Sequence, residues 1–139
     1  MFLDSFFENS VNTFPNHIAI EEGEKRYTYL EAEQIANKMT NYLQGLSIGP
    51  EDKVTILLPR CAEVIISMLG ILKAGATYIP LDPEIPADRV NFIMEDAGAK
   101  LIITSNEILD RIGEQLSSFP IFNIDKQTTE LDNYPDTKP

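Results

Sequence analysis

Few residues in this chain are of types that do chemistry, and their spacing limits what each could do. Asp82, Glu84, Asp88, Glu95 and Asp96 form the densest set of carboxylates. Asp88 and Glu95 share a face if their segment is helical, but a divalent cation needs several oxygen ligands converging on one point. Asp82 follows a predicted parallel strand, and open α/β sheets bind ligands outside the carboxyl ends of such strands. Its other reading is a turn residue set among Pro80, Pro83 and Pro86. Gly70 and Gly75 are spaced as in a phosphate loop, yet Ala76 and Thr77 stand where that loop needs Lys and Ser or Thr. Both glycines also fall at a predicted helix end, which offers carbonyls, whereas phosphate is held by the free N–H groups of a helix start. Packing and helix termination are the roles expected of them.

His17 is the only histidine and Cys61 the only cysteine. His17 lies in a Pro-Asn turn with no Ser or Cys beside it and too few companions for a metal site, so it reads as a surface turn residue. Cys61 opens a predicted helix whose N-terminus favours a thiolate, but no base is in view and a small apolar filler is the expected role. Lys73 ends that helix, where it could serve the last carbonyls as readily as a ligand. No catalytic, cofactor-binding or metal-binding residue is assigned from the pattern.

These side chains must be positioned by elements that the periodicity defines. Leu3, Phe6, Phe7, Val11 and Phe14 recur at helical spacing over residues 3–13, and Pro15 and Asn16 end the helix. Ile18 to Glu21 and Lys25 to Thr28 flank Glu22, Gly23 and Glu24 as a β-hairpin. Thr28 and Glu31 form a capping box that starts a helix with Ala32, Ile35, Ala36, Met39, Leu43 and Leu46 on one face. Glu33, Gln34, Lys38 and Asn41 are expected to point outward, and Gly45 and Gly49 to mark the end. Strands follow at residues 54–58, 77–81, 101–104 and 121–124, alternating with helices at 61–73, 86–97 and 106–116. The helix at 61–73 is apolar almost all round, so it expects neighbours on several sides. Connections too long for hairpins favour a parallel sheet with right-handed crossovers. The expected fold is α/β: a helix, hairpin and helix, then a doubly wound parallel layer.

A chain of 139 residues fits one domain with a real core. Its net charge of -11, with only 11 scattered Lys and Arg, argues against nucleic acid, whose phosphates need clustered cations. A single cysteine forms no internal disulfide. The N-terminus carries Asp4 and Glu8 and no basic region, unlike a secretory signal. No apolar run approaches the roughly 20 residues needed to cross a bilayer, and a cytoplasmic protein is expected. The polar stretch after Asp125, KQTTELDNYPDTKP, reads as a linker or exposed tail.

Two phrases carry a family resemblance. LKAGATYIPLDP, from Leu72 to Pro83, resembles the second core motif of the adenylate-forming enzymes, in particular the adenylation domains of nonribosomal peptide synthetases. YTYLEAEQIANKM, from Tyr27 to Met39, looks like their first core motif. TFPNHIAIEEGEKRYTY is similar to the opening hairpin, and ADRVNFIMEDAGAKLIITS to the helix and strand after the second motif. Ala32, where the first motif usually has Leu, and Thr77, where a small residue is common, depart from the pattern.

The resemblance implies residues 1–124 as the first portion of the large N-terminal domain of such an enzyme, with 125–139 a polar linker or tail. It implies a parent that uses ATP and Mg2+ to activate an amino acid as aminoacyl-AMP and passes it to the phosphopantetheine thiol of a carrier protein. The family's phosphate loop, ribose-binding Asp and catalytic Lys belong to later segments, so this chain is expected to be the front of an enzyme, inactive alone. Its partners would be the remainder of the adenylation domain, the carrier domain and a small-molecule carboxylate, with no nucleic acid and no membrane. Two alternatives stand beside this. One is the front of an acyl-CoA or aryl-CoA synthetase or a D-alanine carrier-protein ligase, against which the phrase LKAGATYIPLDPEIPADR leans. The other is a self-contained non-enzymatic α/β binding or regulatory module.

Overall fold

The computed structural model describes the backbone of residues 2–139 and the side chains of residues 7–126 and 129–139. Helix α1 (Phe2–Thr13) buries Val11, and Phe7 packs on the interior beneath it. Leu3 and Phe6 of its expected apolar stripe lie outside the described side chains. Phe14 is exposed instead of packed inward, because the helix ends before it and its ring stacks on His17 at 5.0 Å. Strands β1 (Ile18–Glu22) and β2 (Lys25–Thr28) pair antiparallel, closing on Glu22 and Lys25. Gly23, at φ 59°, takes the left-handed place in the two-residue turn.

Thr28 then caps α2 (Tyr29–Gly45). Its hydroxyl accepts from the Glu31 N–H at 3.1 Å while the Glu31 carboxylate accepts from the Thr28 N–H at 2.9 Å. Ala32, Ala36, Met39 and Leu43 form the buried face as their spacing predicts. Leu46, expected on that face, is exposed, since it lies past the last turn. Glu33 and Asn41, expected to point outward, both find partners within the protein. The residue that reverses the chain after α2 is Ser47, at φ 63°, in place of the expected Gly45 or Gly49. The N–H of Ile48 reaches back to the Leu43 carbonyl at 3.0 Å, a Schellman closure that buries Ile48 against Leu43.

The second half is the parallel layer: β3 (Lys53–Leu57), α3 (Ala62–Lys73), β4 (Thr77–Leu81), α4 (Ala87–Ala97), β5 (Leu101–Thr104), α5 (Asn106–Ile112) and β6 (Ile121–Asn123). The expected helix at 106–116 is shorter, tightening into a 3-10 turn at Gly113–Gln115. Spatial order is β4-β3-β5-β6, all parallel. The chain winds one way from β3 to β4 and then back across to β5 and β6. Right-handed crossovers therefore put α3 on one face and α4 and α5 on the other, a doubly wound sheet. Central strands β3 and β5 are buried on both faces, which is why they read as unbroken apolar runs. Pro80 is tolerated because β4 lies at the margin.

Helix α3 lies across α2 at close range. Gly70 makes this possible: a Cβ there would sit 2.6 Å from Met39 Cγ. Gly75, at φ 80°, ends α3, with the Ala76 N–H bonding the Ile71 carbonyl at 3.1 Å.

Residues 125–139, expected as a linker or tail, fold back on α2. A 3-10 turn (Ile124–Lys126) leads into α6 (Gln127–Leu131), Leu131 is buried, and Tyr134 packs on Tyr42. Two apolar anchors, with hydrogen bonds from Asn37 and Asn41, seat a segment that is otherwise polar.

Candidate functional site

The order of the strands places a topological switch point between β3 and β5, where one connection leaves toward β4 and the next toward β6. Ligands of doubly wound sheets bind in the crevice this opens at the strands' carboxyl ends. Here that edge is built from Thr104, Asn106, Asn123 and Asp125. Thr104 Oγ1, fully buried, donates to the Leu57 carbonyl at 2.9 Å and ties β5 to β3 at the switch point. Asn123 Nδ2 donates to Asn106 Oδ1 at 2.7 Å, and Asn123 Oδ1 accepts from the Asp125 N–H at 2.9 Å. Asp125 Oδ2 in turn accepts from the Asn106 N–H at 2.7 Å. The first amide of α5, the group that would meet a phosphate, is thus occupied by a carboxylate of the same chain.

Asp82, singled out for its place after β4, serves the turn: its Oδ1 accepts from the Glu84 N–H at 2.9 Å. Asp88 Oδ1 accepts from the Arg89 N–H at 3.0 Å, in the first turn of α4. Glu84, Glu95 and Asp96 are exposed. Among the described residues no group of three or more His, Cys, Asp or Glu side chains is placed to hold a metal ion. Arg111 donates to the Pro83 carbonyl and fastens the turn that carries Asp82 to α5. The strand-end residues Thr104, Asn106, Asn123 and Asp125 escaped sequence reasoning, although each sits at or just after the end of a predicted strand.

Cys61 stands at the N-cap of α3 and makes no side-chain cap bond. Burial pushes its thiol up from the ordinary value, and the carboxylates of Glu63 and Glu22 push it further, so the thiolate is disfavoured. The cap is supplied across space, by Glu22 Oε1 accepting from the Ala62 N–H at 3.1 Å. Lys25 pairs with Glu63 at 2.6 Å and fastens β2 to the same helix start. His17 lies exposed in its turn, its carbonyl accepting from the Tyr29 N–H at 3.0 Å.

Lys73 differs from both readings given to it. Its ammonium reaches neither the helix-end carbonyls nor an open site, but lies between Glu8 at 3.1 Å and Glu33 at 2.7 Å, with the side chain only 5% exposed. Across α3, three hollows of about 450, 300 and 520 Å³ meet at Ile65, which is 46% exposed. The largest of the three runs along Ile56, Leu58, Met68, Tyr78 and Pro80, and is mainly apolar, with Arg60 also in its lining. The expectation that this helix needs neighbours on several sides agrees with so much apolar surface lying open around one residue.

A helix, hairpin and helix set before a parallel sheet of order β4-β3-β5-β6 defines a doubly wound α/β layer. Residues 7–136 match the AMP-binding enzyme family, and the chain belongs to it. It is 38% identical over 128 residues to a dimodular nonribosomal peptide synthase of Bacillus subtilis (strain 168), covering 92% of this chain and 5% of that protein. Among solved structures, it resembles the anthranilate CoA ligase AuaEII in complex with anthranoyl-AMP, at TM-score 0.85 and 22% identity, over 96% of this chain and 27% of that one. A fatty acyl CoA synthetase of Mycobacterium tuberculosis gives TM-score 0.83 and 24% identity over 98% of this chain and 29% of that one. At these identities the structural likeness establishes the fold. The chain spans 2–5% of the length of the first curated relatives it matches. Among the described residues no helix is long and apolar enough to cross a membrane.

Proposed function

We propose that the chain is the first layer of the large N-terminal domain of a cytoplasmic adenylate-forming ligase of the nonribosomal peptide synthetase type, and that it acts there as scaffold. Residues 1–124 would form the domain portion, with 125–139 folded back on its α2 as a closing segment. The observation that carries this reading is the family match over residues 7–136. Sequence identity of 36–38% to peptide synthases favours the amino-acid-activating branch over the CoA ligases. The parent would join an amino acid to AMP from ATP and hand the acyl group to a carrier's phosphopantetheine thiol. The anthranoyl-AMP in a neighbour of this fold is an acyl adenylate of the same kind.

The ATP and Mg2+ of the parent would be held by later segments of the domain, as the resemblance implies. Asp125 occupies the Asn106 amide at the switch point, and Asp82 and Asp88 are engaged with backbone N–H groups. The apolar hollows around Ile65 are where the remainder of the domain would pack. Amino-acid-dependent ATP–pyrophosphate exchange tests the proposal. The 139-residue chain is expected to match a no-enzyme blank, and exchange above the blank would overturn the scaffold reading. A hydrophobic dye should bind at the Ile65 face, and a tight monomer that leaves the dye dark would count against the packing surface.

A further inference from the structure

Asn37, Asn41 and Gly45 recur every four residues along α2 and so form one stripe on the helix. The chain's last residues lie along that stripe. Asn37 Nδ2 donates to the Asp136 carbonyl at 3.1 Å, while Asn41 Nδ2 shares its two protons among the carbonyls of Pro135 at 2.9 Å, Thr137 at 3.1 Å and Asn37 of its own helix at 3.0 Å. Two side-chain amides thereby hold three consecutive carbonyls. At Gly45 the missing side chain leaves room for the Tyr134 ring, which would lie 3.7 Å from a Cβ placed there and meets Tyr42 edge-on at 5.5 Å. Asn37 is 6% exposed, and its own Oδ1 has no hydrogen-bond partner. A buried amide with one end unmet weakens the fold unless its other end does something an apolar residue could not. Here that end grips the returning backbone.

Beyond the stripe, Lys138 crosses to α1 and pairs with Glu8 at 3.1 Å. Glu8 also holds Lys73 of α3, which is shared with Glu33 of α2. Two carboxylates and two ammonium groups close a neutral set joining α1, α2, α3 and the C-terminal segment. Without Lys138 the set carries a net negative charge around a buried ammonium, and Glu8 loses one of its two cations. The Lys73 ammonium at the centre is buried, whereas Lys138 is 71% exposed, so the outer pair with Glu8 is screened by solvent and adds a modest hold.

We propose that residues 134–138 are a strap gripped by the α2 stripe, and that the docking of the strap and the docking of α1 reinforce each other through Glu8. The coupling is reciprocal by linkage: whatever factor the strap adds to the hold on α1, α1 adds to the hold on the strap.

Hydrogen–deuterium exchange and aromatic NMR on the full chain test this. Asn41→Ala removes two strap contacts without touching α1. The Tyr134 ring resonances are expected to move toward their unstructured positions, and the α1 amides to exchange severalfold faster, with β3 and β5 unchanged. Lys138→Met should speed α1 exchange as well, and combining it with Asn41→Ala should add nothing, because both act by one route. Glu8→Gln, applied at the other end, should loosen Tyr134. Release of Tyr134 by Asn41→Ala with α1 exchanging at its original rate would overturn the coupling. Tyr134 resonances unmoved by that substitution would overturn the strap, and a uniform rise across β3 and β5 would show general loosening in place of a local device.

Discussion

Replacing Gly70 by alanine sets two effects of known size against each other. Glycine inside a helix is less stable than alanine by about 1 kcal/mol, so on propensity alone Gly70→Ala would strengthen α3. The packing reverses the sign. The new Cβ would lie 2.6 Å from Met39 Cγ, 2.8 Å from Met39 Cβ and 3.1 Å from the Ala36 carbonyl oxygen, whereas carbon atoms in contact ordinarily stand about 3.5–4.0 Å apart. Met39 is 1% exposed, and a rotamer change could move its Cγ but not its Cβ. The two helices must therefore part by roughly an ångström. Parting them also stretches the contact from Thr40 Oγ1 to the Gly70 carbonyl, now 2.9 Å, leaving that hydroxyl to the Ala36 carbonyl of its own helix, also at 2.9 Å. Overpacking of this kind costs about 1–3 kcal/mol, and transferring the Thr40 proton wholly to the Ala36 carbonyl leaves the Gly70 carbonyl less satisfied, adding up to about 1 kcal/mol. Against the propensity gain, the net expectation is a loss on the order of 2 kcal/mol. Urea unfolding followed by far-UV circular dichroism would show it as a lower midpoint at unchanged slope. In a Met39→Ala background the Cγ contact is absent, so the double variant should lose less than the sum of the two single losses. A Gly70→Ala chain as stable as the parent, or more stable by the propensity difference, would refute the close crossing of α2 and α3.

Thr28→Ala removes one half of the capping box and should cost about 1 kcal/mol in the same unfolding experiment; a change near zero would mean that the cap does not hold α2. The Glu8 carboxyl feels burial, which raises it, but hydrogen bonds from Lys138 and Lys73 outweigh this and hold it below its ordinary value of 4.5. Groups facing it are Lys73 from α3, Glu33 from α2 beyond that lysine, and Lys138 from the C-terminal segment. A depressed carboxyl contributes stability that is present above 4.5 and is lost as pH falls through its lower value in the folded chain. Stability measured from about pH 6 to about pH 3 should therefore fall less steeply in Glu8→Gln than in the parent, and parallel curves would exclude a contribution from this carboxylate.

What could be read in the sequence was whatever has a local cause. Thr28 and Glu31 stand three apart, Gly23 sits between two alternating segments, and the runs at β3 and β5 are apolar because both faces of the sheet are covered. Each leaves its mark within a few consecutive residues, and the alternation of strands and helices then favours the parallel winding. Lys73 shows where this stops. Its place at a helix end satisfies a local rule, and nothing nearby announces that Glu8 and Glu33 will meet it across three helices. Asn41 reads as an ordinary outward residue until the chain returns to it almost a hundred positions later. At the crevice, position was the better guide than residue type. Asp82 drew notice as a carboxylate, while the network at the switch point belongs to Thr104, Asn106, Asn123 and Asp125. Asn106 and Asp125 lie just past the predicted strands, and Thr104 and Asn123 in their last two positions.

The margin formed by β4 has a bearing on how this protein behaves in concentrated solution. The Thr77 N–H donates inward to the Asp52 carbonyl, so alternation along the strand turns the backbone of Tyr78 and Pro80 away from β3. Pro80 has no N–H to give, which leaves Tyr78 as the sole outward donor of that pair. A neighbouring copy trying to continue the sheet would meet a ladder with a rung removed, and fibrous growth from this side is starved at its first step.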